Sequence, residues 1–260
     1  MSFNLPSFNL RGTRAIYSNE LARTWRTLFQ SILTPVLTTS LYFIVFGGAI
    51  GQKISTMGGV SYAAFIVPGL LMLTILAEST ANASFGIYLP RFTGTVYELL
   101  SAPVGVAETL IGYVGAAVTK SVILAVIILA TARLFVDYPI AHPFLAVFFI
   151  VLSAMAFSLL GFILGCWADG FEKLQVVPML VLTPMTFLGG TFYSIAMLPE
   201  PWRSVTLFNP VVYLVNGLRW TFFDQADVNF AAATGITFAF LAACIAVIGL
   251  IFKTGWRLRS

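Results

Sequence analysis

The stretch Pro143-Phe-Leu-Ala-Val-Phe-Phe-Ile-Val-Leu-Ser-Ala-Met-Ala-Phe-Ser-Leu-Leu-Gly-Phe-Ile-Leu-Gly-Cys-Trp-Ala168 contains 26 residues and no charged side chain. As a helix rising about 1.5 Å per residue it would reach about 39 Å, enough for a bilayer core of about 30 Å. It does not alternate between apolar and polar positions over about ten residues, as a membrane barrel strand does. Backbone groups in lipid must therefore be satisfied within a helix.

The same reading extends in both directions. Charge-free runs cover Thr27 to Gln52, Ile54 to Ala77, Leu174 to Pro199 and Val228 to Phe252. A further apolar run, Val104 to Phe135, is interrupted by Glu108 and Lys120. These runs predict an all-α integral membrane protein with six transmembrane helices, near 28–50, 61–86, 105–135, 143–166, 175–193 and 230–252. The composition agrees: 59% of the 260 residues are hydrophobic and 9% are charged, against about 25% charged in a soluble domain. A soluble enzyme, a nucleic-acid-binding domain and a disordered chain are excluded. The whole chain, 1–260, reads as one transmembrane domain. Within it, 1–27 is a cytoplasmic or interfacial helix and 28–193 holds spans one to five. An outer re-entrant loop occupies 194–229, and the sixth span and a cytoplasmic tail occupy 230–260.

Orientation follows from basic residues in the flanks. Arg11, Arg14, Arg23, Arg26, Arg91, Lys173, Lys253, Arg257 and Arg259 fall on one side of a six-span chain, nine in all. Lys53, Arg133, Arg203 and Arg219, four, fall on the other. Nine against four places both termini in the cytoplasm. It also accounts for the pI of about 9.2 without nucleic acid, because the positive charge faces anionic lipid.

The first 26 residues carry no apolar h-region and are not read as a signal peptide. Helical spacing sets Tyr17, Leu21, Trp25, Leu28 and Phe29 on one arc and Asn19, Arg23, Arg26 and Thr27 on another. Such a helix is expected in the headgroup plane, with its arginines on phosphates.

Two further segments are expected not to span. After the second span, Thr95 to Ser101 can wind about two helical turns before Pro103, with Val96, Leu99 and Leu100 on one face and Arg91 and Glu98 bracketing it. A short amphipathic helix on the cytoplasmic side suits docking to a soluble partner, or simply rests on headgroups. After the fifth span, Val205 to Phe223 is apolar except for Arg219 but contains Pro210. Two short helices turning at Asn209-Pro210 are expected there, re-entrant on the outer side, since a seventh span would carry the basic C-terminus outward.

No catalytic chemistry emerges. Gly115 to Ser121 is a defective P-loop with Thr119 where a glycine is needed, and no metal-ligand or nucleophile motif is present. Cys166 and Cys244 sit in apolar runs, and the single histidine, His142, reads as a loop or interface residue. Gly161 and Gly165 form a GxxxG, read as intrachain packing. Intramembrane charges are the remaining signal. Glu78 and Lys120 can meet across the second and third spans, as a structural pair or as a substrate contact. Glu108 is expected to reach water at the cytoplasmic end.

The run Pro184-Met-Thr-Phe-Leu-Gly-Gly-Thr-Phe-Tyr-Ser-Ile-Ala-Met-Leu-Pro199, then Trp202, Phe208-Asn-Pro-Val-Val-Tyr213 and Leu218-Arg219, resembles the signature of ABC type-2 exporter permeases. Pro199, Asn209, Pro210 and Arg219 belong to that outer signature. Arg91, Gly94-Thr95 and Glu98-Leu-Leu-Ser-Ala-Pro103 resemble the family's coupling region, which gives Arg91, Thr95, Glu98, Leu99 and Leu100 an ATPase-coupling role. Ser194 stands where many members have proline. The resemblance covers nearly the whole chain and includes small bacterial permeases such as nodulation-factor exporters. It implies a homodimer in the bacterial cytoplasmic (inner) membrane with two separate ATP-binding cassette subunits. ATP and magnesium would be held by those partners, and no cofactor by this chain. It also implies export by alternating access, with the first, second and fifth spans as pathway wall. Lipid, glycoconjugate and amphipathic drug-like molecules all fit as substrates. An ion- or proton-coupled secondary transporter or channel is the alternative, but it would need relay acids or internal repeats. Only Glu78 lies well inside a span, and no repeat is evident.

Overall fold

In a computed structural model of the chain, residues 8–51, 53–54 and 56–255 are described; for 28, 30, 99 and 100 only the backbone is. The chain is helical almost throughout. Helix α1 (Leu10–Arg26) leads directly into α2 (Leu28–Tyr42), which continues as a π-helical stretch, Phe43–Ile50. A two-residue hairpin follows: β1 (Thr56–Met57) pairs antiparallel with β2 (Val60–Ser61). Gly58 and Gly59 form its turn at φ 56° and 77°, a conformation that suits glycine at both central positions of a tight hairpin. Next come α3 (Tyr62–Thr93), α4 (Val96–Ser101), α5 (Val106–Arg133) and α6 (Pro143–Trp167). The chain then passes through α7 (Phe171–Val177), a π-helical stretch Pro178–Leu182 and α8 (Thr183–Phe187). A short 3-10 turn (Ile195–Met197), α9 (Trp202–Thr206), α10 (Pro210–Phe223) and α11 (Phe230–Thr254) complete it.

Local signals fix the ends. Ser61 caps α3, its hydroxyl accepting from Ala64 N at 3.3 Å, and Gly94 closes α3 in the left-handed conformation at φ 80°. Asn209 and Asn229 cap α10 and α11 through Val211 N (3.0 Å) and Ala231 N (2.8 Å).

Helix α3 is the axis. It is buried over most of its length and packs most extensively on α6, then on α5 and α10. Gly161 and Gly165 explain the close α3–α6 approach: a Cβ at either would strike a backbone carbonyl oxygen of α3, at Thr80 or Ser84. Small residues let helices approach closely where lipid supplies no hydrophobic drive. The main core gathers Ile66, Leu70, Ile75, Phe149, Phe157 and Phe222 around this pair. Cys166 and Cys244 are buried, unbonded thiols in a second cluster with Phe162 and Ile248.

Among the described residues, five helical stretches are long and apolar enough to cross a membrane: Ser31–Ile50, Tyr62–Thr93, Val106–Arg133, Pro143–Trp167 and Phe230–Thr254. The fifth expected span differs. Its helical run, 171–187, is broken by a π stretch at Pro178 and stops before the Gly189-Gly190 pair. Proline removes a backbone donor and disrupts the ladder, which accounts for the break. The second expected span also runs further, through Pro90 to Thr93, so Arg91 lies in α3 rather than in a loop.

The N-terminal helix departs most from expectation. It runs alongside α5. Asn9 meets Glu108 and Pro103, Tyr17 meets Thr119, and Leu21, Thr24 and Trp25 share a cavity wall with Lys120 and Ile123. Its buried residues are Thr13 and Glu20, while Trp25 and Phe29 are exposed. The polar residues on the inner side find partners there, which an amphipathic arc alone cannot reveal. Glu108 likewise is buried rather than open to water, and accepts from Asn9 N at 3.1 Å.

Candidate functional site: a charge ladder, the turn after α3 and a clamp on α10

The charge ladder lies on one flank of α3. Lys120 of α5 donates to Glu78 Oε2 at 3.1 Å, with side chains 12% and 25% exposed respectively. One helical turn along α3, Asn82 receives Arg23 of α1: Nη2 donates to Oδ1 at 3.0 Å and to the backbone oxygen at 3.1 Å. Arg23 also pairs with the buried Glu20 at 2.6 Å. Two neutral ion pairs thus stand one turn apart and tie α1, α3 and α5 together. Pairing lowers the cost of holding charge away from water. Glu20, Arg23 and Asn82 escape a sequence reading that assigns α1 to the headgroups. The available signals were the i, i+3 spacing of Glu20 and Arg23 and the i, i+4 spacing of Glu78 and Asn82.

At the other end of α3 lies the turn that resembles a coupling region. Helix α4 has Thr95 at its N-cap, Val96 buried and Glu98 exposed. Val96 therefore points into the protein, so the expected Val96, Leu99 and Leu100 face is not presented outward as a unit. The side chains of Leu99 and Leu100 lie outside the described residues. Arg91 is turned toward α6: its Nη1 donates to the carbonyl oxygens of Gly165 (2.7 Å) and Ala168 (3.2 Å) at that helix's C-terminal end. A cation there complements the helix dipole. Among the described residues of the turn, Phe92 and Tyr97 are exposed.

A clamp is built from α10. Pro210 occupies the first turn of the helix, and Asn209, besides capping it, donates Nδ2 to Met185 O at 2.6 Å. Arg219 is buried. It donates Nη2 to Gly190 O at 2.6 Å and Nη1 to Asn216 Oδ1 at 3.3 Å, and its guanidinium sits 3.9 Å above the Phe65 ring. Asn216 Oδ1 also accepts from Asp227 N at 3.1 Å. Asp227 in turn holds the segment after Gly190, accepting from Ser194 Oγ (2.6 Å) and Ile195 N (2.8 Å). Ser194 thus supplies a hydroxyl that proline could not. Pro199 immediately precedes the cis Glu200-Pro201 bond, in the stretch leading to the exposed α9. His142 closes the rim by stacking on Trp220 (4.7 Å) and placing Nε2 3.2 Å from Asp224 Oδ1.

A groove of about 380 Å³ separates α2 and α3 from the broken run 171–187. Leu73, Ala77, Met179 and Leu182 form apolar walls, and Tyr42, Gln175, Thr183 and Thr186 add polar points. The flanking surfaces of Leu37, Leu41, Ile44, Met179 and Leu180 are exposed.

Long apolar helices around such a groove, with charges paired inside the bundle, define an all-α membrane protein. The chain belongs to the ABC-2 type transporter family, whose model matches residues 11–223. It is 35% identical over 247 residues to the inner membrane transport permease YadH of Escherichia coli (strain K12), covering 95% of this chain and 96% of that one. It is 24% identical over 236 residues to nodulation protein J of Rhizobium leguminosarum bv. viciae, covering 89% and 90%. Nodulation protein J of Rhizobium meliloti (strain 1021) is 25% identical over 197 residues, 75% of each chain. The chain is therefore a multi-pass membrane transport permease, as its resemblance implied. Such permeases are transport subunits and not enzymes.

Proposed function

We propose that this chain is the permease subunit of an exporter in the bacterial inner membrane. It works as a homodimer with separate ATP-binding cassette subunits, and both termini are cytoplasmic. The groove between α2, α3 and 171–187 carries the reading. Apolar side chains flanking it, among them Leu37, Leu41, Ile44, Met179 and Leu180, are exposed, and it combines apolar walls with a few polar points. That lining suits an amphipathic substrate such as a lipid, a glycoconjugate or a drug-like molecule. A second copy covering those apolar surfaces would convert the groove into an enclosed path. Energy comes from the partner, since this sequence has no intact nucleotide motif. Arg91, Thr95, Glu98, Leu99 and Leu100 form the receiving end of that coupling. Pro199, Asn209, Pro210 and Arg219 hold the outer closure. The ion-coupled alternative is less favoured, because Glu78 and Glu20 both already face a cation.

The test is ATP-driven uptake into inverted vesicles containing the chain and its cassette partner, across a panel of labelled lipids, glycoconjugates and amphipathic drugs. Transport of at least one class that vanishes when the cassette is inactivated is expected. Movement that follows an ion gradient and ignores ATP would replace this reading with the secondary-transporter one. Leu99→Ala with Leu100→Ala should abolish ATP-driven uptake while the chain stays folded, and Glu98→Ala should be milder, since interface anchors outweigh rim charges.

A further inference from the structure

We propose that the molecule carried along the groove between α2, α3 and 171–187 is an uncharged amphiphile whose polar part bears hydroxyl or amide groups. The inference rests on the reading that this groove is the transport path, and narrows the substrate it takes.

Each wall of the groove is built almost wholly from a run of sequence without a charged residue: 27–52 for α2, 54–77 for α3 and 174–199 for the broken run. The charges bounding these runs are Arg26, Lys53, Glu78, Lys173 and Glu200. Glu78 follows directly on Ala77, which lines the groove, but it is engaged by Lys120 of α5 at 3.1 Å, and the pair is neutral. A second copy laid symmetrically over Leu37, Leu41, Met179 and Leu180 would present the same two uncharged runs, so it brings no counter-charge from them. A phosphate, carboxylate or ammonium drawn into such an enclosure would lose water and gain no opposite charge, which is costly.

The polar points select among neutral groups. Thr183 is exposed in the lining, and its hydroxyl donates to Pro178 O at 3.1 Å. With its hydrogen committed, that hydroxyl is left to a guest as an acceptor, which a hydroxyl or an amide N–H satisfies and an anion does not. Gln175, also exposed, offers an amide that both donates and accepts, and the half-buried Tyr42 on the facing wall offers a phenol that does the same. Hydroxyls and amides match this mixed set in full. A carboxylate only accepts and an ammonium only donates, so each matches half of it. The apolar lining of Leu73, Met179 and Leu182 is left for the tail.

The experiment uses the full chain with its cassette partner in inverted vesicles. The probes are three diacyl lipids with one shared fluorescent tail: a glucosyl diacylglycerol, a phosphatidylglycerol and a trimethylammonium-propane lipid. The readout is the ATP-driven rate at which the label becomes protected from a membrane-impermeant quencher. The glucosyl probe should move at least about tenfold faster than either charged probe. A charged probe moving as fast or faster would overturn the inference and leave the exporter reading standing. Thr183→Lys adds a cation to the lining and should shift the ratio of the phosphatidylglycerol rate to the glucosyl rate upward by about tenfold; Gln175→Lys repeats the test at a second exposed position. A ratio unchanged in both variants would mean that the lining does not choose the headgroup. If none of the three probes moves, the wider panel under Proposed function decides. A charged mover there overturns the inference alone, an uncharged one supports it, and no mover at all removes the exporter reading and the inference with it.

Discussion

Lys120 Nζ and Glu78 Oε2 stand 3.1 Å apart between α5 and α3, one turn from the site where Asn82 receives Arg23. Four charges are held along one flank of a bundle that has few others, and each cation has its anion beside it. In a low-dielectric setting such a pair is most sensitive to losing one member, because the other is left uncompensated.

Glu78→Ala should therefore destabilise the chain by about 1–3 kcal/mol, less than a fully buried pair because Glu78 is partly exposed. Glu78→Leu combined with Lys120→Leu should recover most of that loss. Thermal unfolding in detergent, followed by size-exclusion fluorescence, reads both. A double variant no more stable than the worse single variant would show that the two side chains are not coupled.

The α3–α6 contact makes a second prediction by contrast. Gly161→Val forces a side chain against the Thr80 carbonyl and should lower stability by several kcal/mol, in the range of severe overpacking. Gly235→Ala and Gly249→Ala meet nothing within 4 Å and should be neutral or slightly stabilising, since alanine favours helix. Equal effects at Gly161 and Gly235 would remove the close-packing argument.

At the α10 clamp, Asn209→Ala should cost about 1 kcal/mol for the lost cap, and more if the Met185 contact matters independently. Arg219→Lys is not conservative here. Lysine cannot reproduce the fork that reaches Gly190 and Asn216 while lying over Phe65, and should lower stability by about 2 kcal/mol or more. Urea or thermal melts of the two variants should rank Arg219→Lys well below Asn209→Ala.

Topology can be read with impermeant thiol reagents on intact cells, because Cys166 and Cys244 are buried and give little background. A cysteine replacing the exposed Lys53 or Arg203 should label from outside, and one replacing the exposed Arg14 or Lys253 should not. Outside labelling at Lys253 would reverse the assigned side of the last helix.

The sequence makes the spans legible because charge is excluded from them, and an uncharged run such as 143–168 has few alternatives to a helix. The helix start at Asn209-Pro210 is legible because a capping side chain followed by proline starts a helix. What stays hidden depends on partners distant in sequence. Glu20 looks like a headgroup residue until Arg23 and Asn82 are seen around it. Glu108 looks solvated until Asn9 is seen to bond it. Val96 shares a helical face with Leu99 and Leu100, yet it is buried against the body of the protein. Periodicity gives the face of a helix but not what covers it, so α1 and α4 were oriented less well than the long spans. Of the candidate site residues, the structure brings Glu78 to Lys120 and ties Asn209 and Arg219 to the same outer segment, while Arg91 engages α6.

The π-helical stretch Pro178–Leu182 lines one bank of the groove, and the other, Phe43–Ile50, begins immediately after Tyr42 on the opposite bank. A π stretch carries a surplus residue within a helix. Passing that surplus along by one position would turn the residue it passes by about 100°, the angle per residue of an α-helix, with the exchange of a backbone hydrogen bond. The banks can thus re-face their side chains by an internal slip, like a ratchet with one spare tooth, while the tight α3–α6 seam stays still as its frame. Amide hydrogen exchange should then be faster at 43–50 and 178–182 than along 154–165. Equal protection in all three would mean that the spare residue is locked.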